Sequence, residues 1–297
     1  MINALITGIG GFTGRHLAHE LAGRGYDVHG LVHRTPIGLP WSAHVCDLLD
    51  RDSLVALLTQ LKPDVVVHLA AIAFVAHGDV DTVYRTNIIG TRNLLDAIAL
   101  SGHVPKSVLI ASSANVYGNA DCELLSEVVL PQPANDYAIS KLASENVARL
   151  WADRLPITIV RPFNYTGVGQ ASNFLLPKIV DNFRSRTAVL ELGNLNVVRD
   201  FSDVRTVVHA YSQLVESGVA GETFNVCSGL GYSLQDILAI MTELTGHTPE
   251  IQVNPAFVRA NEVHRLIGDN SRLKSVIGSL DIVPLRDTLA WMLEQDQ

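Results

Sequence analysis

The constraint that bears hardest on this chain lies in its first residues. Ala4-Leu5-Ile6-Thr7 is a short β-prone run that enters Gly8-Ile9-Gly10-Gly11-Phe12-Thr13-Gly14, and a helical pattern follows to Gly23. Glycines at 8, 11 and 14 suit a tight strand-to-helix turn whose backbone amides meet a pyrophosphate at a helix N-terminus. Their spacing also lets helix and sheet pack closely. Glycine turns are common, so the loop alone discriminates weakly. Its place after a first strand and before a helix is the context that points to a dinucleotide.

The rest of the first half repeats that rhythm. Strand-like runs at Asp27–Val32, His44–Asp47, Val65–Leu69, Ser107–Ala111 and Ile157–Arg161 alternate with helical patterns over Gly14–Gly23, Ser53–Leu61, Val83–Ser101 and Tyr137–Asp153. Such alternation implies parallel strands joined by crossover helices, hence an α/β fold with a Rossmann-type doubly wound parallel sheet. Pro63, Gly102 and Pro156 punctuate the boundaries. After Arg161 the pattern shortens and breaks at Pro162, Pro177, Gly193, Gly229, Gly231, Pro249 and Pro255. This part reads as a smaller C-terminal α/β lobe that caps the sheet, with Thr223–Val226 returning to it. The expected division places 1–165 and 204–227 in the dinucleotide-binding domain and 166–203 and 228–297 in the lobe.

Composition removes several classes of function. With 30 acidic and 22 basic residues the net charge is −8, a poor match to a nucleic-acid backbone. Cys46, Cys122 and Cys227 are the only cysteines, odd in number and far apart, so a disulfide framework or structural zinc is not expected. The 11 histidines include no H-E-x-x-H, and no metal is expected. No G-x-S-x-G elbow supports a hydrolase. The longest apolar stretch, Val65 to Ala76, contains His68 and falls short of the roughly 18 residues of a membrane helix. A cytoplasmic protein that neither spans a membrane nor binds nucleic acid is expected.

Two further patterns carry chemistry. A site for NAD usually has an acid at the end of the second strand to hold the ribose 2′-hydroxyl, but here that strand ends Gly30-Leu31-Val32-His33-Arg34. Arg34 suits a 2′-phosphate, so NADP(H) is favoured over NAD(H). Tyr137 and Lys141 stand four residues apart, on one helix face. A cation there is expected to lower the phenol's pKa by favouring phenolate. Ser112-Ser113 ends a strand at the edge of the sheet where ligands bind, placed to hydrogen-bond a substrate carbonyl while Tyr137 passes it a proton.

These motifs resemble the extended short-chain dehydrogenase/reductase family of the NAD-dependent epimerase/dehydratase type, over nearly the whole chain. The likeness runs through Thr7–Gly14, Asp47-Leu48, His68-Leu69-Ala70-Ala71, Asn87, Ser112–Gly118, Tyr137/Lys141 and Arg161-Pro162-Phe163-Asn164. It implies Ser113, Tyr137 and Lys141 as the catalytic set, with Lys141 also holding the nicotinamide ribose. It implies a cofactor path along Gly8, Gly11, Phe12, Thr13, Gly14, His33, Arg34, Asp47, Leu48, Leu69, Ala70, Ala71, Asn87 and Pro162. It further implies a homodimer packed as a four-helix bundle through Val83–Ser101 and Tyr137–Asp153.

Within the family, Arg161–Gln170, Gly193-Asn194-Leu195, Arg199-Asp200-Phe201 and Arg259-Ala-Asn-Glu262 are similar to the GDP-sugar branch, the GDP-4-keto-6-deoxymannose reductases and GDP-mannose dehydratases. The lobe would then bind the nucleotide sugar through Asn164, Asn173, Lys178, Arg199, Arg259 and Glu262, with Ser113 and Asn115 at the reacting carbon. Tyr165, Val168 and Ala260 depart from the branch's histidine and two prolines. Dehydratases of the family carry a glutamate where this chain has Asn115, and an amide cannot exchange the proton that water elimination needs. The expected activity is therefore NADPH-dependent reduction at C4 of a GDP-4-keto-6-deoxyhexose. The competing readings are a 4-epimerase or 4,6-dehydratase, and, from another class, a non-catalytic NADPH-binding regulator.

Overall fold

The computed structural model describes residues 2–34, 38–73, 79–258 and 263–295. Its first half contains β1 (Ile2–Thr7), α1 (Phe12–Gly23), β2 (Tyr26–Val32), β3 (Ser42–Val45), α2 (Arg51–Leu61), β4 (Val65–His68), α3 (Val80–Tyr84), α4 (Gly90–Leu100), β5 (Ser107–Ala111), α5 (Asp136–Arg149) and β6 (Ile157–Pro162). The second half adds β7 (Asn164–Thr166), α6 (Leu175–Arg184), β8 (Val189–Leu192), β9 (Val198–Asp203), α7 (Val204–Ser217), β10 (Thr223–Val226), β11 (Gly231–Ser233), α8 (Leu234–Thr245), β12 (Glu250–Val253), β13 (Arg265–Leu266), α9 (Ser271–Ile277) and α10 (Leu285–Glu294).

Seven strands pair in the order β10-β6-β5-β4-β1-β2-β3, every neighbouring pair parallel. This is the Rossmann-type α/β architecture. The strand order reverses at β1 and β4, and ligands of such sheets bind outside the strand ends at that point. The central strands are apolar because helices cover both faces. Leu17 and Leu21 of α1, Tyr211 and Leu214 of α7 and Leu273 of α9 pack on one face. Leu54 and Leu58 of α2, Leu94 and Ile98 of α4 and Ala148 of α5 pack on the other.

The remaining strands build the smaller lobe. β9 is flanked by β11 and β13 and also pairs with β7, while β8 pairs with β12. Leu176 and Phe183 of α6, Leu190 of β8, Ile237 and Met241 of α8 and Leu289 of α10 form a separate core. Two pieces depart from the expected division. Leu273 of α9, a helix expected in the lobe, is buried in the core of the main sheet. Asn164–Thr166 pairs with β9, so β7 stands with the lobe.

Some element ends also differ from expectation. β3 stops at Val45, which leaves Asp47 in the loop beyond the strand. The helix expected over 83–101 begins at Val80 and is interrupted by a π-helical turn at Arg85–Ile89, where Asn87 turns its carboxamide into the protein. Such turns insert an extra residue and are frequent at functional sites. α5 ends at Arg149, four residues short of Asp153, in a series of turns before β6. No helix among the described residues is long and apolar enough to cross a membrane.

Candidate active site

Close packing dictates the glycine loop. Gly8 has φ +74°, and a Cβ there would lie 2.9 Å from the Cα of Ala70. A Cβ on Gly14 would stand 2.3 Å from the carbonyl oxygen of Gly8. α1 opens at Phe12 with Gly11 as its N-cap, so no side chain caps its first turn. That leaves a helix N-terminus open to an anion, and the loop fits a dinucleotide diphosphate. At the next strand ends His33 Nε2 lies 3.4 Å from Asp47 Oδ2, and both, like Arg34, are exposed. Leu48 is buried and its carbonyl accepts a hydrogen bond from Asn93 Nδ2 (3.0 Å), so its side chain belongs to the core beneath this edge.

A polarised chain of hydrogen bonds holds the loop after β4. The amide of Ala70 donates to Thr7 Oγ1 (3.1 Å), and that hydroxyl lies 2.7 Å from His68 Nδ1. On the other side His68 Nε2 is 3.0 Å from Thr91 Oγ1, whose own proton goes to the carbonyl of Asn87 (2.6 Å). With that proton committed, Nε2 must donate and Nδ1 must accept from Thr7. Burial, aided by the charge of Lys141, pulls the His68 pKa down to about 3 and keeps the ring neutral. Asn87 accepts from the amide of Ile72 (2.9 Å) and donates to Ile72 O (3.2 Å) and Ser140 Oγ (2.9 Å). Its carboxamide thus braces the segment that follows Leu69, Ala70 and Ala71.

The turn after β5 and helix α5 carry Ser113, Tyr137 and Lys141, the three residues expected to be catalytic. Ser113 follows the end of β5 and caps a 3₁₀ turn, its hydroxyl accepting from the amide of Asn115 (3.2 Å). Asn135 caps α5 through the amide of Ala138 (2.9 Å), placing Tyr137 in its first turn and Lys141 one turn on. The Ser113 side chain acts on the Tyr137 phenol. Burial pushes the Tyr137 phenol up to about 12, with Tyr165 adding to the rise and Ser113 opposing it. Burial also draws Lys141 down to about 8, with Glu145 opposing. In the ligand-free protein, loss of water is the largest influence on the phenol, and Lys141 is not among the groups that lower it.

Two supports were not expected from sequence. Glu145, fully buried, takes Arg161 Nε (2.8 Å) and Nη2 (2.7 Å) and the hydroxyl of Ser112 (2.6 Å). This ties α5 to β6 and to the end of β5. Arg161 also reaches the Tyr117 hydroxyl (3.0 Å). The available signal was a charge inside an apolar strand, which demands a buried partner. The second support is Tyr165, whose hydroxyl lies 2.8 Å from Thr13 Oγ1.

The residues expected to hold substrate spread over the lobe side. Asn115 and Asn164 are half-buried, Asn173 is exposed and Pro162 is buried at the end of β6. Arg199 lies in β9, the strand that β7 pairs with through Asn164 and Phe201. Beside it, the buried Asp200 accepts from the amides of Ser228 (2.9 Å) and Gly229 (2.8 Å) and locks the adjoining loops. Lys178 of α6 holds its ammonium 3.8 Å from the ring centroid of Phe257. Arg259 and Glu262 lie outside the described residues.

Known proteins resemble this chain in sequence and in fold. The family described as the NAD dependent epimerase/dehydratase family matches residues 4–227. The chain is 38% identical over 276 residues to GDP-6-deoxy-D-talose 4-dehydrogenase of Aggregatibacter actinomycetemcomitans, covering 93% of this chain and 91% of that one. It is 34% identical over 299 residues to GDP-6-deoxy-D-mannose reductase of Pseudomonas aeruginosa, covering 97% and 95%. A solved structure of RMD from Pseudomonas aeruginosa complexed with NADPH superposes with TM-score 0.83 at 31% identity, covering 99% of this chain and 98% of that one.

Proposed function

Because the chain belongs to the NAD-dependent epimerase/dehydratase family, the extended short-chain dehydrogenases/reductases, we propose that it reduces the C4 keto group of a GDP-4-keto-6-deoxyhexose with NADPH. The product is GDP-D-rhamnose or its C4 epimer, made in the cytoplasm. Asn115 carries the choice among the family's reactions. It sits in the turn directly after Ser113, where elimination of water would need a group that exchanges protons. Two relatives named for oxidation or reduction of GDP-6-deoxy sugars, a GDP-6-deoxy-D-talose 4-dehydrogenase and a GDP-6-deoxy-D-mannose reductase, support the reading. Arg34 supports NADPH, as does the NADPH complex of the solved relative.

NADPH, when bound, supplies the hydride that C4 of the sugar accepts. Ser113 donates a hydrogen bond to the O4 carbonyl and polarises it. Tyr137, a protonated phenol throughout the neutral range, gives its proton to O4 as negative charge develops there. Lys141, still mostly an ammonium below pH 8, stabilises the phenolate left behind until solvent reprotonates it. We assign Asn164, Asn173, Lys178, Arg199, Arg259 and Glu262 to the nucleotide diphosphate sugar, two guanidiniums and an ammonium meeting its charge. We also propose a homodimer in which α3–α4 and α5 form a four-helix bundle, since Ile89 and Ile139 are exposed on those helices.

The test supplies GDP-4-keto-6-deoxymannose with NADPH and follows nicotinamide absorbance, then identifies the C4 configuration of the product by NMR. Stoichiometric NADPH oxidation is expected. No oxidation, or water loss from GDP-mannose supplied alone, would overturn the proposal.

A further inference from the structure

Tyr165 belongs to β7, and its register partner is Ser202 of β9, so its backbone is part of the lobe. Its side chain crosses to the other domain. The hydroxyl lies 2.8 Å from Thr13 Oγ1, and the ring runs parallel to Phe12 (centroids 6.0 Å apart, planes 15° apart). A second link runs the same way: His16 Nε2 meets the carbonyl of Val168 at 2.9 Å. The first turn of α1, the anion-binding end of the glycine loop, is thus held from the lobe through residues 165–168.

The direction of the Tyr165 bond matters. A phenol is a stronger donor than an aliphatic alcohol, so Tyr165 donates to Thr13 Oγ1 and leaves the Thr13 proton available. Thr13 is the second residue of α1, where helix amides and dipole already favour negative charge. We propose that Tyr165 is a positioning residue for the cofactor: it orients the Thr13 hydroxyl as a donor to the dinucleotide's diphosphate. The inference rests on the nicotinamide-dinucleotide site proposed above and extends it to a residue of the opposite lobe. No hydride or proton transfer is assigned to Tyr165.

The diphosphate is common to NADPH and NADH, and that separates this role from cofactor selection. Dissociation constants for both cofactors are measured by calorimetry on the wild type, Y165F, T13V, T13S and T13V/Y165F. Y165F is expected to weaken both cofactors about tenfold, equivalent to about 1.4 kcal/mol. Their ratio should stay at the wild-type value, whereas R34D changes the ratio. T13S, which keeps the hydroxyl, should retain more affinity for both cofactors than T13V. T13V/Y165F should bind no worse than T13V alone, because the phenol acts only through that hydroxyl. A Y165F protein that binds both cofactors normally, or losses that simply add in the double variant, would overturn the role of Tyr165 and leave the cofactor site standing. A wild type that binds neither dinucleotide would overturn both. The melting midpoint of Y165F, expected near that of the wild type, guards against a trivial loss of folding.

Discussion

Replacing Lys141 by methionine should make the free protein more stable while removing its activity. Lys141 is 5% exposed, and burial lowers its pKa from 10.5 to about 8. That displacement corresponds to roughly 3 kcal/mol of destabilisation by the buried ammonium. Methionine matches the aliphatic stem and carries no charge. Glu145 keeps Arg161 and Arg149 as partners, so no orphaned carboxylate is created. For a chain of this size the gain should appear as a rise in Tm of roughly 5–10 °C at pH 7. The effect must also follow pH with a definite sign. Below pH 8 the lysine is charged in both folded and unfolded chains, and the full penalty is present. Between about 8 and 10.5 the unfolded chain binds more protons, so wild-type stability rises with pH relative to K141M and the gap closes. Thermal unfolding of ligand-free K141M and wild type from pH 6.5 to 10 reads this directly. A variant no more stable than wild type at pH 7, or a gap equally wide at both ends of the range, would refute the reasoning. In the expected outcome K141M gains stability at the expense of function, since the phenolate of Tyr137 loses its counter-charge.

Three further outcomes follow from the same geometry. Y137F should abolish turnover of the keto sugar and spare NADPH binding measured by calorimetry; an unchanged rate would remove the phenol from the mechanism. R34D should weaken NADPH roughly ten- to a hundredfold more than NADH, because the charge-assisted bond to the 2′-phosphate is lost; equal losses would sink that assignment. E145Q leaves Arg161 buried without its carboxylate and should cost about 3–5 kcal/mol, seen as a marked drop in melting temperature even without ligands. A melting point within a degree or two of wild type would show that the buried pair does not brace the catalytic helix.

The sequence by itself determined the architecture and pointed to the candidate reacting groups. Alternating β-branched and helical runs dictate parallel strands because each crossover must bury an apolar face, and β5 and β10 fall where they were expected. Gly8 and Gly14 were legible because backbone packs against the positions their side chains would occupy. Ser113 was legible from its place at a strand end, and Tyr137 with Lys141 from helical spacing, which is local geometry. Only the tertiary structure decided what surrounds those groups. Asn87 is expected along the cofactor path, and its carboxamide lies in a π-helical turn, bonded to Ile72 and Ser140. Lys141 promised to lower the tyrosine's pKa, yet enclosure raised the phenol and lowered the ammonium instead. Glu145 and Arg161 lie sixteen residues apart and Thr13 and Tyr165 one hundred and fifty-two, so neither contact has a local signature. Desolvation and long-range partners depend on which elements pack together. Those quantities exist only once the chain has folded.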